Sequence, residues 1–152
     1  MMPVASLKQN GGKIMSIKSK LLTVGDVMLA ATETPQTKST TMLKEALELM
    51  DQYRLGIVCI TSADGTLDGI ITDGDIRRML NAVQKPIAAL MSDDVIKHAV
   101  RAPITVSSAN LLTDAIAIMG SKKVWDLPVV DKGKLSGLLH LHPAIKAVMG
   151  GS

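Results

Sequence analysis

Between Gly69 and Leu80 the chain reads GIITDGDIRRML, and Thr72 to Arg78 carry a hydroxyl, two carboxylates, a glycine and two guanidiniums. The β-branched residues before Thr72 predict a strand. The residues after it predict a helix beginning near Gly74 or Asp75. A helix N-terminus presents unpaired N–H groups and the positive end of the helix dipole, which suits an anion. Gly74 lets a ligand approach the backbone closely. Thr72 offers a hydroxyl as donor and acceptor, and Asp75 can accept two hydrogen bonds, as a ribose diol would donate. Arg77 and Arg78 match phosphate or carboxylate with their forked donors. This set describes binding of a sugar that carries anionic groups. The competing reading makes Asp73 or Asp75 a helix cap and the arginines a solvated face, and the local residues leave both open.

His140 and His142 stand two apart at the end of a second β-rich run. If the chain is still extended there, both rings point to one side and face a ligand's carboxylate or phosphate. No neighbouring Cys, Asp or Glu completes a metal site, so no metal is expected. His98 is isolated and takes no role. Cys59, the one cysteine, lies among β-branched neighbours and reads as a small buried hydrophobe, because no base stands near it to activate a thiolate. For Trp125 core packing is the default, with the cleft or a dimer face as alternatives. The sequence contains no Walker loop, zinc spacing or recognisable Ser-His-Asp arrangement.

The elements that must position these groups come in duplicate. LKEALELM (43–50) and LTDAIAIM (112–119) both carry apolar residues at i, i+3, i+4 and i+7, the stripe of an amphipathic helix. Thr40 and Thr41 precede the first and Ser107 and Ser108 the second, as expected of N-caps. GIVCITSADGTLDGIIT (56–72) and DLPVVDKGKLSGLLH (126–140) each read as strand, turn and strand. Leu43 maps to Leu112 at an offset of 69, and Gly69 to Gly137 at an offset of 68. A further helix follows each hairpin, one from roughly Gly74 to Val83 and the other from near Leu141 and Pro143 to Met149. Short extended segments, Glu33–Thr37 and Pro103–Val106, lead in. The expected fold is α/β of the α+β kind: two tandem repeats, each a small β-sheet with two helices, packed with pseudo-two-fold symmetry. Residues 1–21 read as a flexible leader, 22–84 as the first repeat and 85–149 as the second.

Composition narrows the function. The chain has 152 residues, 47% of them hydrophobic, and a net charge of +3. The positive balance suits an anionic small molecule. Two aromatic residues, Tyr53 and Trp125, make no platform for successive nucleic-acid bases, so no nucleic acid is expected. No stretch approaches the roughly 18 apolar residues of a membrane span, and no signal-peptide core is present, so a cytoplasmic location and no membrane partner are expected.

The doubled hairpin–Thr-x-x-Asp–helix unit resembles a pair of CBS (cystathionine β-synthase) domains, together a Bateman module, over roughly residues 22 to 149. The resemblance implies that Thr72 and Asp75 hold the ribose or phosphate of a nucleotide in the cleft between the repeats. TDGDIRR (72–78), GLLHLH (137–142) and VGDVM (24–28) are similar to the C-terminal CBS pair of arabinose-5-phosphate isomerases, sugar isomerases of the Kdo (3-deoxy-D-manno-octulosonate) pathway. Members with that activity carry a sugar isomerase domain ahead of the pair, and about 20 residues precede it here. The chain is therefore expected not to be an enzyme by itself. Pro143 stands where the family has Asp, and His140 where it has Thr, so the second half-site is expected to bind a nucleoside poorly or to contribute only imidazoles to the first.

The resemblance implies a regulatory module that senses a nucleotide or nucleotide-sugar, CMP-Kdo or an adenine nucleotide (AMP or ATP), and controls a sugar-phosphate isomerase partner. No cofactor is required. The alternatives are the regulatory part of an isomerase whose catalytic domain lies elsewhere, or a purely structural dimerisation module. A homodimer is expected in every case. The candidate ligand-binding residues are Thr72, Gly74, Asp75, Arg77, Arg78, His140 and His142.

Overall fold

The computed structural model describes residues 21–150, so most of the expected leader lies outside the described residues. The amphipathic stripes become α2 (Leu43–Tyr53) and α5 (Leu112–Lys122), following α1 (Val24–Val27) and the intervening helices α3 (Asp73–Ala82) and α4 (Ile87–Met91). Each stripe buries its apolar side: Leu43, Ala46 and Met50 in one, Leu112, Ala115 and Met119 in the other. Burying one such leucine contributes about 2–3 kcal/mol. Five further elements are strands β1 (Leu29–Ala30), β2 (Gln36–Thr37), β3 (Ile57–Thr61), β4 (Leu67–Thr72) and β5 (Asp126–Asp131). Strand β6 (Lys134–His140) runs directly into α6 (Leu141–Val148). The architecture is the expected α+β pair of small sheets, in the orders β2-β3-β4 and β1-β6-β5.

The two copies exchange their leading segments. β1 precedes the first hairpin in sequence but pairs antiparallel with β6 of the second, Leu29 opposite Leu138. In return Val100, which follows the first copy, exchanges backbone hydrogen bonds of 2.8 and 2.9 Å with Ile70 of the first hairpin. Cores follow the same rule. Val24 packs with Leu112, Met119 and Leu139 of the second copy, and Leu90 and Val95 pack with Leu43, Val58 and Ile71 of the first. A third cluster, Ile57, Cys59, Leu135 and Leu138, joins the sheets. Cys59 is the buried hydrophobe expected, its thiol pushed up to about 12 by burial and, secondarily, by the charge of Asp126.

The exchange also explains where the helix starts differ from expectation. Neither Thr41 nor Ser108 is an N-cap; Met42 and Leu111 are, without a side-chain cap. The first N–H of each helix is met by a carbonyl of the other copy's leading segment instead: Leu43 donates to Asp93 and Leu112 to Leu22, both at 2.9 Å. A crossing backbone does the work of a capping hydroxyl. Ser107 instead donates its hydroxyl to Asp131 at 2.9 Å, and Ser108 its backbone N–H at 3.1 Å. His98 is not isolated: its Nε2 lies 2.9 Å from Asp93, which also takes Lys85 at 2.8 Å.

The repeat glycines mark the crossing points. A Cβ on Gly69 would meet the Val100 carbonyl at 2.8 Å, and one on Gly137 would collide with the Leu29 carbonyl. Gly137→Ala should therefore destabilise by about 3 kcal/mol, since backbone must move to admit a methyl group. Gly120, exposed in α5 with nothing within 4 Å of an added Cβ, should gain about 1 kcal/mol on change to Ala. Urea midpoints of the two variants check both signs.

Acid should unfold the chain through its hydrogen-bonded carboxylates. Hydroxyl donors from Ser136, Ser108 and Ser107 lower Asp131 to about 2, and Lys85 with His98 does the same for Asp93, against an ordinary 3.8. Between those values the unfolded chain binds more protons than the folded one. Their stabilisation is thus present above pH 4 and lost as the pH falls toward 2. Asp131→Asn should lower stability at pH 7 and flatten its decline from pH 4 to pH 2, read from urea midpoints; an unchanged slope would contradict the assignment.

Candidate ligand-binding site

Register brings Thr72 to the end of β4, opposite Ile57, and the next residue begins α3. Thr72 is the N-cap of that helix. Its Oγ1 accepts from the Asp75 N–H at 3.3 Å, while Asp75 Oδ2 accepts the Thr72 N–H at 2.9 Å and its hydroxyl at 3.0 Å. The Thr-x-x-Asp segment is thus a reciprocal capping box. Thr23 and Asp26 repeat two of its bonds at α1. Capping uses Oδ2; Asp75 Oδ1 meets Arg78 Nη2 at 2.8 Å. The Arg78 side chain is 63% exposed, so this pair adds little to stability.

A cleft of about 830 Å³ opens above the start of α3. The first copy lines it with Gly56, Ile70, Thr72, Asp73, Gly74, Arg77 and Arg78, and the second with residues 122–126 and His140. Thr72, Gly74, Arg77, Arg78 and His140, singled out from sequence, therefore come together. Asp75 lies behind this wall, and His142 stands apart. The backbone turns helical at Leu141 with His140 as N-cap, so the two rings part and His142 is exposed on α6. The extended geometry that would align them does not continue past His140.

Acidic company for the imidazole is also present. His140 Nδ1 lies 2.7 Å from Asp126 Oδ1. The Asp126 side chain is 10% exposed, and burial raises its pKa above the ordinary value; the bond and charge of His140 pull it down, and Asp73 pushes it up again. Desolvation wins, because the carboxylate loses more water than one neighbour restores. This pair does not extend to a metal site: among the described residues no three His, Cys, Asp or Glu groups gather.

Lys122, Lys123 and Asp126 were not singled out from sequence, and for Trp125 core packing was the default with the cleft as an alternative. The tryptophan is instead 70% exposed and lines the cleft. The signal for this segment lay in the repeat register, which sets Lys122–Asp126 over Tyr53–Ile57. Lys123 and Arg54, equivalent in that register, both end their helices in the left-handed region, at φ 56° and 55°. Glycine is the usual residue there. With Arg77, Arg78, Lys122 and Lys123 around it, the cleft carries four cations against Asp73 and Asp126, and can hold a doubly charged anion.

The CBS domain family matches twice, at residues 23–82 and 87–149. Arabinose 5-phosphate isomerase KdsD of Escherichia coli K12 is 33% identical over 131 residues, covering 84% of this chain but 38% of the isomerase. The chain thus spans well under half the length of the curated relatives it matches. CBSX2 in complex with AMP superposes with a TM-score of 0.74 at 29% identity, over 85% of this chain and 97% of that one. The CBS-pair protein CBSX2 from Arabidopsis thaliana gives 0.74 at 28%, over 85% and 95%. A duplicated fold with exchanged leading strands, a capped Thr-x-x-Asp helix start and two family matches in tandem lead to one assignment: this chain belongs to the CBS domain family, as a CBS pair.

Proposed function

We propose that the chain is a ligand-sensing regulatory module that takes a nucleotide in the cleft above α3. The observation that carries this is the meeting of Thr72, Gly74, Arg77, Arg78 and His140, drawn from both copies, around one cavity of nucleotide size. A phosphate fits the N–H groups of α3 and the paired guanidiniums. Asp75 Oδ1 lies behind the cleft wall, covered by Arg78; when Arg78 swings from it to the phosphate, the carboxylate opens to a ribose diol, and ligand binding trades a weak exposed ion pair for two better bonds. Because the walls come from different copies, a ligand that bridges them favours one arrangement of the pair over another, and a partner can read that arrangement.

CBSX2, the relative solved with AMP, supports an adenine nucleotide as the ligand. The likeness to KdsD over its CBS pair supports CMP-Kdo and a sugar-phosphate isomerase as the partner, with this chain as the regulatory part of such an enzyme. Within the second copy, Pro143 occupies the place of the capping-box carboxylate and His140 that of the hydroxyl, which favours one occupied cleft per chain. Leu80 on α3, Ile145 on α6 and Met149 just beyond it are exposed and offer the apolar surface for a homodimer.

Calorimetric titration with AMP, ADP, ATP, CMP and CMP-Kdo tests the reading. One of them should bind at about one per chain, and Arg77→Ala with Arg78→Ala should weaken it at least about tenfold through loss of two charge-assisted contacts. Asp75→Ala should abolish the binding. Silence across all five compounds from a folded chain would sink the nucleotide reading. Light scattering should give the mass of two chains.

A further inference from the structure

Gly56 and Trp125 hold equivalent places in the two copies and make the same backbone bond. The carbonyl of Gly56 accepts from the Asp73 N–H at 3.0 Å, and that of Trp125 from the Leu141 N–H at 2.8 Å. Glycine performs this task in the first copy, so the fold needs no side chain there. A Cβ at position 56 would meet the Asp73 carboxylate and push it aside. The second copy, with Leu141 in place of Asp73, is free to carry a large residue and carries an indole.

That indole is not spent on packing. Trp125 belongs to none of the three apolar clusters among the described residues and is 70% exposed, facing the cleft whose other lining includes Arg77, Arg78 and the side-chain-free Gly56. An aromatic wall and a cationic wall around one cavity call for a ligand with a flat ring at one end and an anion at the other. Base–aromatic stacking tolerates any base, because every base has a π-face.

From this juxtaposition we infer that Trp125 is the stacking seat for the base of the cleft ligand, and that it makes the site select nucleotides over sugar phosphates of equal charge. The inference rests on the nucleotide reading above and adds to it the residue that discriminates.

Trp125 is the single tryptophan of the chain, so its fluorescence reports this contact alone. AMP and CMP are titrated by fluorescence and by calorimetry, beside ribose 5-phosphate and inorganic phosphate. The expected result is saturable quenching at the calorimetric midpoint, with ribose 5-phosphate at least about tenfold weaker, as the loss of one stacked base implies. Trp125→Leu should weaken the nucleotide to the level of ribose 5-phosphate and leave ribose 5-phosphate unchanged, while Trp125→Phe should restore most of the difference. Circular dichroism and the thermal midpoint confirm that the variants fold. A nucleotide that binds Trp125→Leu as tightly as the parent, or leaves the fluorescence unmoved, overturns the inference and spares the nucleotide reading. Ribose 5-phosphate binding as tightly as AMP and CMP overturns it in favour of a sugar-phosphate site. Absence of binding by AMP and CMP, and by ADP, ATP and CMP-Kdo under the same conditions, removes both.

Discussion

Everything in this molecule depends on a crossing of backbone between the two copies. Each amphipathic helix starts without a side-chain cap because a carbonyl from the other copy's leading segment takes its first N–H. Each hairpin gains an extra neighbour from the same segment, β1 on one sheet and the Val100 bridge on the other. A buried N–H left unpaired would cost about 1–3 kcal/mol, so the crossing cannot be undone at one end without loss at both. Two units too small to cover their own sheets become one core by lending each other an edge.

The cleft is a product of that arrangement. Joining the sheets through Ile57, Cys59, Leu135 and Leu138 brings the start of α3 against residues 122–126. Neither copy could make the cavity alone. The duplicated starts of α3 and α6 have then taken different paths. One keeps the hydroxyl and carboxylate that close a capping box; the other has His140 and Pro143, and the imidazole is tied to Asp126. Symmetry of the backbone coexists with asymmetry of the chemistry.

Much of this was legible in the residues, and the rest was hidden for physical reasons. The helical stripes, the hairpins and the equivalence of Gly69 with Gly137 are local or repeat signals, and they survive in the structure. Caps at Thr41 and Ser108 were the natural reading of a helix start, and they fail because the competing acceptor is a distant backbone carbonyl, invisible to any short window. His140 and His142 look paired by a strand's period of two, but the period changes at Leu141. For Trp125 core packing is the default reading and the cleft one of its alternatives; the structure takes the alternative, and the exposure follows from a cavity built by both copies together.

The exchange of leading strands has a consequence for how the chain comes to fold. β1 lies near the start of the described chain, and its partner β6 near the end. During synthesis β1 must wait as an unpaired edge until the second hairpin has emerged, although β2, β3 and β4 can pair before then. Contacts this remote in sequence slow folding relative to helical proteins of the same size. They also make the pair a single cooperative unit: a chain cut between the copies would leave each half with an open sheet edge and the other half's missing strand as its best-fitting partner.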